Sequence, residues 1–306
     1  MIAYDVSVHK NPEQVSRLMH AIYSPEDLYY INIFGVDSDK KRAEWMDYLK
    51  SFEKSNVSFI FRHSNAWGTF GLVKATIDAM EHFKSSNYSY FINLSGQCYP
   101  IKSTRSIKEV LSKSSCSYVD FHKMLGYTEY EKDKKIYCPP TTRFHYRFEY
   151  CYYPIPNWGP IEFLQGLRNL RKDTTLFIKI PRLNKKMLRS FDLYVGSMWF
   201  CLYKGHVKYI LDFIKNNPDY IKLFSTVLIP DEHFFQTILL NSPFKSQIVN
   251  DNLRYLVWPG PQILRTKNIN GILNSEKFFA RKFDTEIDSN ILDLLDLNNQ
   301  NSRLCV

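Results

Sequence analysis

Hydrophobic positions in the first 121 residues switch repeatedly between two spacings. Ile2–Val8 and Leu28–Phe34 are near-continuous apolar runs, as are residues 57–61 and 88–94, and residues 117–121 make a fifth. Such runs predict strands buried on both faces of a parallel sheet. Between them the apolar residues recur at helical spacing. Asn11-Pro12-Glu13-Gln14 supplies an N-cap and a proline at the first helical position; Val15, Leu18, Met19 and Ile22 then share one face. Residues 40–54 predict a second helix with Ala43, Met46, Leu49 and Phe52 facing one way. Residues 69–83 predict a third helix, and Ser103 caps a short fourth. Strand–helix alternation of this kind predicts an α/β fold with a Rossmann-like, mostly parallel sheet.

Beyond residue 121 the pattern changes. Phe144, Tyr146, Phe148, Tyr150 and Tyr152 alternate with His145, Arg147, Glu149 and Cys151, which predicts an extended segment with one aromatic face. That face suits either a strand packed on the core or a wall for stacking sugars. Pro154, Pro156 and Pro160 follow in a loop around Trp158. Regular spacing then returns, with strands predicted over 194–203 and 254–258 and helices over 206–214, 230–240, 268–277 and 289–297.

Composition narrows the partners more than the fold. The 306 residues are 44% hydrophobic, enough for one sizeable core. A net charge of +9 points to an anionic partner. Lysines and arginines are spread out rather than gathered in a block, which favours a phosphate-bearing small ligand or a membrane surface over nucleic acid. The six cysteines show neither a CxxC pair nor zinc-finger spacing, so a reducing compartment is expected. The N-terminus lacks the charged and apolar regions of a signal peptide, and no run approaches the ~20 residues of a membrane span. The expected location is cytoplasmic, with peripheral contact to the inner face of an anionic membrane.

Ligands of parallel α/β sheets sit beyond the C-terminal ends of the strands. That directs attention to Val8-His9-Lys10, to residues 65–68 around Trp67, and to residues 95–100. The phosphate-loop and dinucleotide glycine patterns are missing, as are GxSxG and HExxH. Asp37-Ser38-Asp39 forms a DxD, but it lies between a strand and a helix, where capping explains it. A diphosphate held without metal needs cations, and Arg254, Arg281 and Lys282 are the candidates. Asp231 and Glu232 open a predicted helix, where the macrodipole favours carboxylates whether or not they have a function.

Six segments carry a family resemblance, in family order along nearly the whole chain. FINLSGQCYPIKS (91–103) resembles the LSGxDYP strand-turn of core-2/I-branching β-1,6-N-acetylglucosaminyltransferases and peptide xylosyltransferases. YVGSMWFCL (194–202) resembles their GSxWF strand, and PDEHFFQTIL (230–239) the helix with their catalytic base. NDNLRYLVW (250–258), FARKFD (279–284) and AYDVSVHKNPEQVSRLMHAIYSP (3–25) resemble their closing motifs and opening strand-helix.

The resemblance implies a GT-A-like single domain. Residues 1–121 would bind the nucleotide-sugar, and residues 122–306 would form the fused acceptor-binding and catalytic half. It implies metal-independent, inverting transfer, with no cofactor, from a UDP-sugar to an acceptor glycan or lipid-linked oligosaccharide. GlcNAc is the first expectation for the donor sugar and xylose the second; a catalytically inactive nucleotide-sugar binder is the alternative of another class. By matched position Glu232 is the base, Lys282 a diphosphate clamp, and Val8, His9 and Trp67 the uridine site. Gly196 and Ser197 fall beside the transferred sugar, with Trp199 and Gln97 completing the sugar and acceptor contacts. Arg281 and Arg254 join the diphosphate site on charge grounds. The chain departs from the family with Cys98 in place of the aspartate of DYP, without a clear acid after the second strand, and with Arg265 out of register for a second basic clamp. The absence of an anchor, a stem and disulfides leads to the expectation of a compact, bacterial-type member.

Overall fold

The computed structural model describes residues 1–63, 67–132, 144–155 and 176–304. Pro156, Trp158 and Pro160 of the proline loop, and Asn65 and Ala66 of the second candidate loop, lie outside the described residues.

The central sheet has seven strands: β1 (Ile2–Val8), β2 (Leu28–Phe34), β3 (Val57–Arg62), β4 (Tyr90–Ser95), β6 (Ser117–Val119), β11 (Phe200–Tyr203) and β12 (Ile248–Asn250). Their order is β12-β6-β11-β4-β1-β2-β3. Only β11 runs antiparallel to its neighbours, so the sheet is mostly parallel, as the sequence pattern predicts. Side chains alternate across it. Tyr4, Val6, Ile31 and Ile33 meet Val15, Leu18 and Leu49 of the helices Pro12–Ile22 and Asp39–Leu49. Ala3, Phe91 and Leu202 meet Val73, Met80, Ile210 and Leu211 of the helices Gly71–His82 and Lys204–Asn216. This is a three-layer α/β/α arrangement within one domain. A smaller sheet of β5 (Cys98–Pro100), β13 (Arg254–Tyr255) and β14 (Phe279–Arg281) flanks it. Two ribbons, β7 (His122–Lys123) with β10 (Tyr194–Val195) and β8 (Tyr150–Pro154) with β9 (Phe177–Pro181), complete the strands described.

Five local expectations are corrected. The second helix buries Trp45, Leu49 and, in a following 3-10 turn, Phe52, while Ala43 is exposed; a shorter α-helix presents a different face. Ser38 rather than an aspartate caps that helix. The aromatic alternation does not make one strand. Tyr146–Glu149 is a helical turn and only Tyr150–Pro154 is extended, because His145, Arg147 and Phe148 all turn inward. The run 194–203 is split, with residues 196–199 leaving the sheet between β10 and β11. Finally, Pro230–Glu232 is a 3-10 turn, and the α-helix is confined to Phe234–Leu240.

Candidate active site

The C-terminal ends of β1, β2 and β4 open into a cleft of about 1080 Å³. Eleven residues singled out in the sequence line it: Val8, His9, Trp67, Gln97, Gly196, Ser197, Trp199, Glu232, Arg254, Arg281 and Lys282. The cleft is also lined by residues that sequence reasoning missed as site residues, among them Asp120, His122, Asp231, Asn252 and Trp258.

Close packing at Gly196 shapes one wall of the cleft. A Cβ there would sit 1.8 Å from the Asp120 carbonyl oxygen, so no larger residue fits this backbone crossing. Ser197 N donates to Asp120 Oδ2 at 2.9 Å, and Gly196 N donates to the Glu232 carbonyl at 2.8 Å. Asn93 ties down the next residues, donating to Met198 O and accepting from Phe200 N. These bonds hold residues 196–199 out of the sheet, and Asp120, Asp231 and Glu232 line the same cleft.

Glu232 is supported from a segment remote in sequence. Arg147 Nη1 donates to Glu232 Oε2 at 2.8 Å, and the arginine side chain is almost wholly buried. The same nitrogen lies 3.0 Å from His233 Nε2, while His233 Nδ1 lies 2.9 Å from Tyr194 O. Burial, reinforced by the Arg147 charge, holds the His233 pKa well below its usual value. The ring is therefore neutral; a proton on Nδ1 satisfies both contacts. Asp231 is buried, and its Oδ1 has no hydrogen-bond partner. Burial first, and the Glu232 charge second, push its carboxyl up to about 7. Ile229, just ahead of this turn, has φ +51°, a left-handed conformation costly for a β-branched residue.

Two arginines of the cleft meet Trp199 and Asn252. The Arg281 guanidinium stacks on the Trp199 ring at 4.3 Å, and its buried Nε has no partner. Burial pulls the Arg281 pKa down, opposed by Cys98 and reinforced by Arg254. Arg254 differs from the clamp expected of it. Its terminal nitrogens donate to the carbonyls of Asn252, Asn93 and Phe200 and to Cys201 Sγ, so it lies as a charged strut in the cleft floor. Lys282 lines the cleft beside Arg281, and Gln97 is fixed by Phe283, whose N–H donates to the Gln97 carbonyl at 2.9 Å. Cys98 is not in the lining. It is buried beneath the Ser95 turn, where its Sγ accepts from Ser95 N at 3.4 Å. Asp37 faces outward and pairs with Lys41, away from the cleft. Among the described residues no cluster of three His, Cys, Asp or Glu side chains could hold a metal.

The family model described as Core-2/I-Branching enzyme matches residues 2–278. The chain belongs to that family. Curated relatives of this core-2/I-branching chain include rat xylosyltransferase 2, 24% identical over 97% of this chain and 33% of the relative. The human β-1,3-galactosyl-O-glycosyl-glycoprotein β-1,6-N-acetylglucosaminyltransferase is 24% identical over 96% of this chain and 68% of the relative. An Arabidopsis β-glucuronosyltransferase, GlcAT14A, is 23% identical over 93% and 60%. The chain thus spans about a third of the length of the xylosyltransferases it matches. Among solved structures, mouse xyloside xylosyltransferase 1 aligns over 92% of this chain and 97% of its own at 10% identity and a TM-score of 0.37. All of these relatives are glycosyltransferases by name. No helix of the described residues is long and apolar enough to cross a membrane.

Proposed function

We propose that this core-2/I-branching chain is an inverting glycosyltransferase of GT-A-like fold that uses a UDP-sugar without a metal. One observation carries the reading: a single cleft at the strand ends is lined by the carboxylates Asp120, Asp231 and Glu232 and by the cations Arg254, Arg281 and Lys282, and each group includes an unpartnered buried polar atom, Asp231 Oδ1 and Arg281 Nε. Unpartnered buried groups are costly, and a bound ligand can satisfy them. In this reading Val8, His9 and Trp67 hold the uridine, and Arg281 and Lys282 take the diphosphate. Gly196, Ser197, Trp199 and Gln97 surround the sugar. Glu232 uses Oε2 for Arg147 and takes the proton of the acceptor hydroxyl on Oε1. The acceptor oxygen then forms its bond to the anomeric carbon as the bond to the diphosphate breaks, and the configuration inverts. UDP leaves carrying the charge that Arg281 and Lys282 stabilise.

GlcNAc is the donor we propose, on the sequence motifs shared with the branching enzymes; the acceptor is a glycan hydroxyl. Measuring UDP release with UDP-GlcNAc, UDP-xylose and UDP-glucuronic acid, each with a panel of glycan acceptors, tests both statements. Acceptor-dependent release that is highest with UDP-GlcNAc is the expected result. Release dependent on another donor would correct the sugar. UDP binding without turnover on any donor would instead identify an inactive nucleotide-sugar binder.

A further inference from the structure

The β8–β9 ribbon stands apart from the central sheet, and its two faces differ. Its register pairs Cys151 with Ile180, Tyr152 with Lys179 and Tyr153 with Ile178. Opposed residues of an antiparallel pair share a face. Tyr152, Lys179 and Phe177 therefore share the inner face, where Tyr152 is buried, its N–H donates to Thr226 O and its hydroxyl donates to Tyr146 O. Arg182 bolts the ribbon to the body through the carbonyls of Phe148, Tyr150 and Thr226. The outward face carries Tyr153, Ile178 and Ile180, which are 44%, 54% and 51% exposed, and the chain continues into Leu183 at 93%.

Half-exposed aliphatic residues concentrated on one face of a rigid ribbon mark an interaction surface. The charge around them says of what kind. Residues 176–190 contain Lys179, Arg182, Lys185, Lys186 and Arg189 and no Asp or Glu. Lys186 and Arg189, which follow Leu183, are exposed, and Lys179, although it shares the inner face with Tyr152, also reaches solvent. A second copy of the same face would bring like charges together, and a polyanion alone would leave the isoleucines in water. An anionic phospholipid surface meets both requirements: aliphatic side chains enter the boundary between headgroups and acyl chains, tyrosine sits at the headgroups, and lysine and arginine meet phosphates.

We infer that the outer face of the Tyr150–Pro154/Phe177–Pro181 ribbon, with Leu183 and its flanking basic residues, docks the protein on an anionic bilayer. The ribbon adjoins the cleft. The Phe177 ring lies against Gly68, next to Trp67, and the turn Tyr146–Glu149 that carries Arg147 leads directly into β8. Docking there anchors the protein through the segment that carries Arg147, the partner of Glu232. Resting on the transferase reading above, this makes the acceptor a glycan carried on a membrane lipid.

The test is co-sedimentation of the full chain with vesicles of phosphatidylcholine, with and without phosphatidylglycerol, for the wild type and for Ile178→Ser/Ile180→Ser. Both positions are exposed, so thermal unfolding should confirm an unchanged fold. Wild type should pellet with the phosphatidylglycerol vesicles, lose binding as salt rises, and bind at least about tenfold better than the double variant. Acceptor-dependent UDP release on a soluble glycan should be the same for both proteins. Equal pelleting of wild type and variant would overturn the docking face, as would no binding to anionic vesicles. Wild-type dimers that the double variant abolishes, without vesicle binding, would assign the face to self-association instead. Vesicle binding is read without turnover, so intact binding beside a failed transfer assay would overturn only the transferase reading.

Discussion

Arg147 and Glu232, 85 residues apart, meet through one 2.8 Å hydrogen bond between a buried guanidinium and a carboxylate that lines the cleft. Because Arg147 also holds the neutral His233 ring, it fixes the turn that carries Glu232 as well as the carboxylate itself. Arg147→Ala should leave UDP affinity intact and lower turnover by roughly 10–10²-fold through misorientation of the base. Arg147→Lys should recover part of that loss. The Ala variant should also lose about 1–3 kcal/mol of stability, because His233 Nε2 and Glu232 lose their donor. Turnover equal to wild type in a folded Arg147→Ala protein would remove the arginine from the mechanism.

Arg147 also shows where sequence reading stops. The central sheet is legible because parallel strands buried on both faces are continuous apolar runs, so β1 to β4 lie where the pattern puts them. The same periodicity misleads at residues 144–152. Aromatic alternation there assigns Arg147 to a polar, outward face, whereas the folded chain buries Arg147 and His145 to serve Glu232 and the Leu125 carbonyl. Those partners are distant in sequence, and no local spacing encodes them. Asp120 is hidden in the same way, since its importance arises from the backbone crossing at Gly196. Glycine in a strand is itself a signal of close backbone approach and could have pointed there. The eleven candidate site residues, by contrast, all line one cleft, because the ends of parallel strands and the turns around them converge on that edge of the sheet.

The diphosphate side makes separable predictions for its three cations. Lys282→Ala and Arg281→Ala should each weaken UDP binding by about 1.5–3 kcal/mol, or roughly ten- to a hundredfold in Kd. Arg254→Ala should behave differently, because its guanidinium is committed to three carbonyls and a thiol. It should lower stability first, with UDP affinity changing only as far as the cleft floor relaxes. Isothermal titration with UDP on each folded variant, beside its melting temperature, distinguishes the two behaviours. Unchanged UDP affinity in Lys282→Ala would exclude the lysine from the site.

Neutralisation by arginine and lysine predicts insensitivity to chelators. UDP release should persist in EDTA and should not rise with added Mn²⁺. Asp37→Asn should leave turnover unchanged, since Asp37 pairs with Lys41 outside the cleft. Loss of activity in EDTA that Mn²⁺ restores would show that a metal shares the diphosphate.

Asp231 and Glu232 are neighbours with opposite expected signatures, and pH separates them. Glu232→Gln keeps the side chain's size but cannot take a proton, so UDP-sugar affinity should hold while transfer falls by roughly 10²–10⁴. In an α-helix adjacent side chains diverge, and only one of the two acids would reach the cleft. The 3-10 turn at Pro230–Glu232 brings both into its lining, so Asp231 needs its own test. Its carboxyl moves from 3.8 in the reference state to about 7 in the folded protein, through burial and then the Glu232 charge. The folded state therefore binds this proton more tightly than the unfolded chain does. Its contribution to stability is fully present below pH 3.8 and is lost as pH rises through about 7. Asn cannot titrate, so Asp231→Asn should gain melting temperature relative to wild type as pH goes from 4 to 8, by about 2–4 °C for each kcal/mol recovered. Asp5, also raised to about 7, and His233, shifted the other way, titrate in both proteins and cancel in the difference. Turnover of Asp231→Asn should fall far less than that of Glu232→Gln. If the two acids only capped the turn, either change would cost stability at every pH and leave turnover per folded molecule alone. A Glu232→Gln protein with near-normal turnover would sink the assignment of the base.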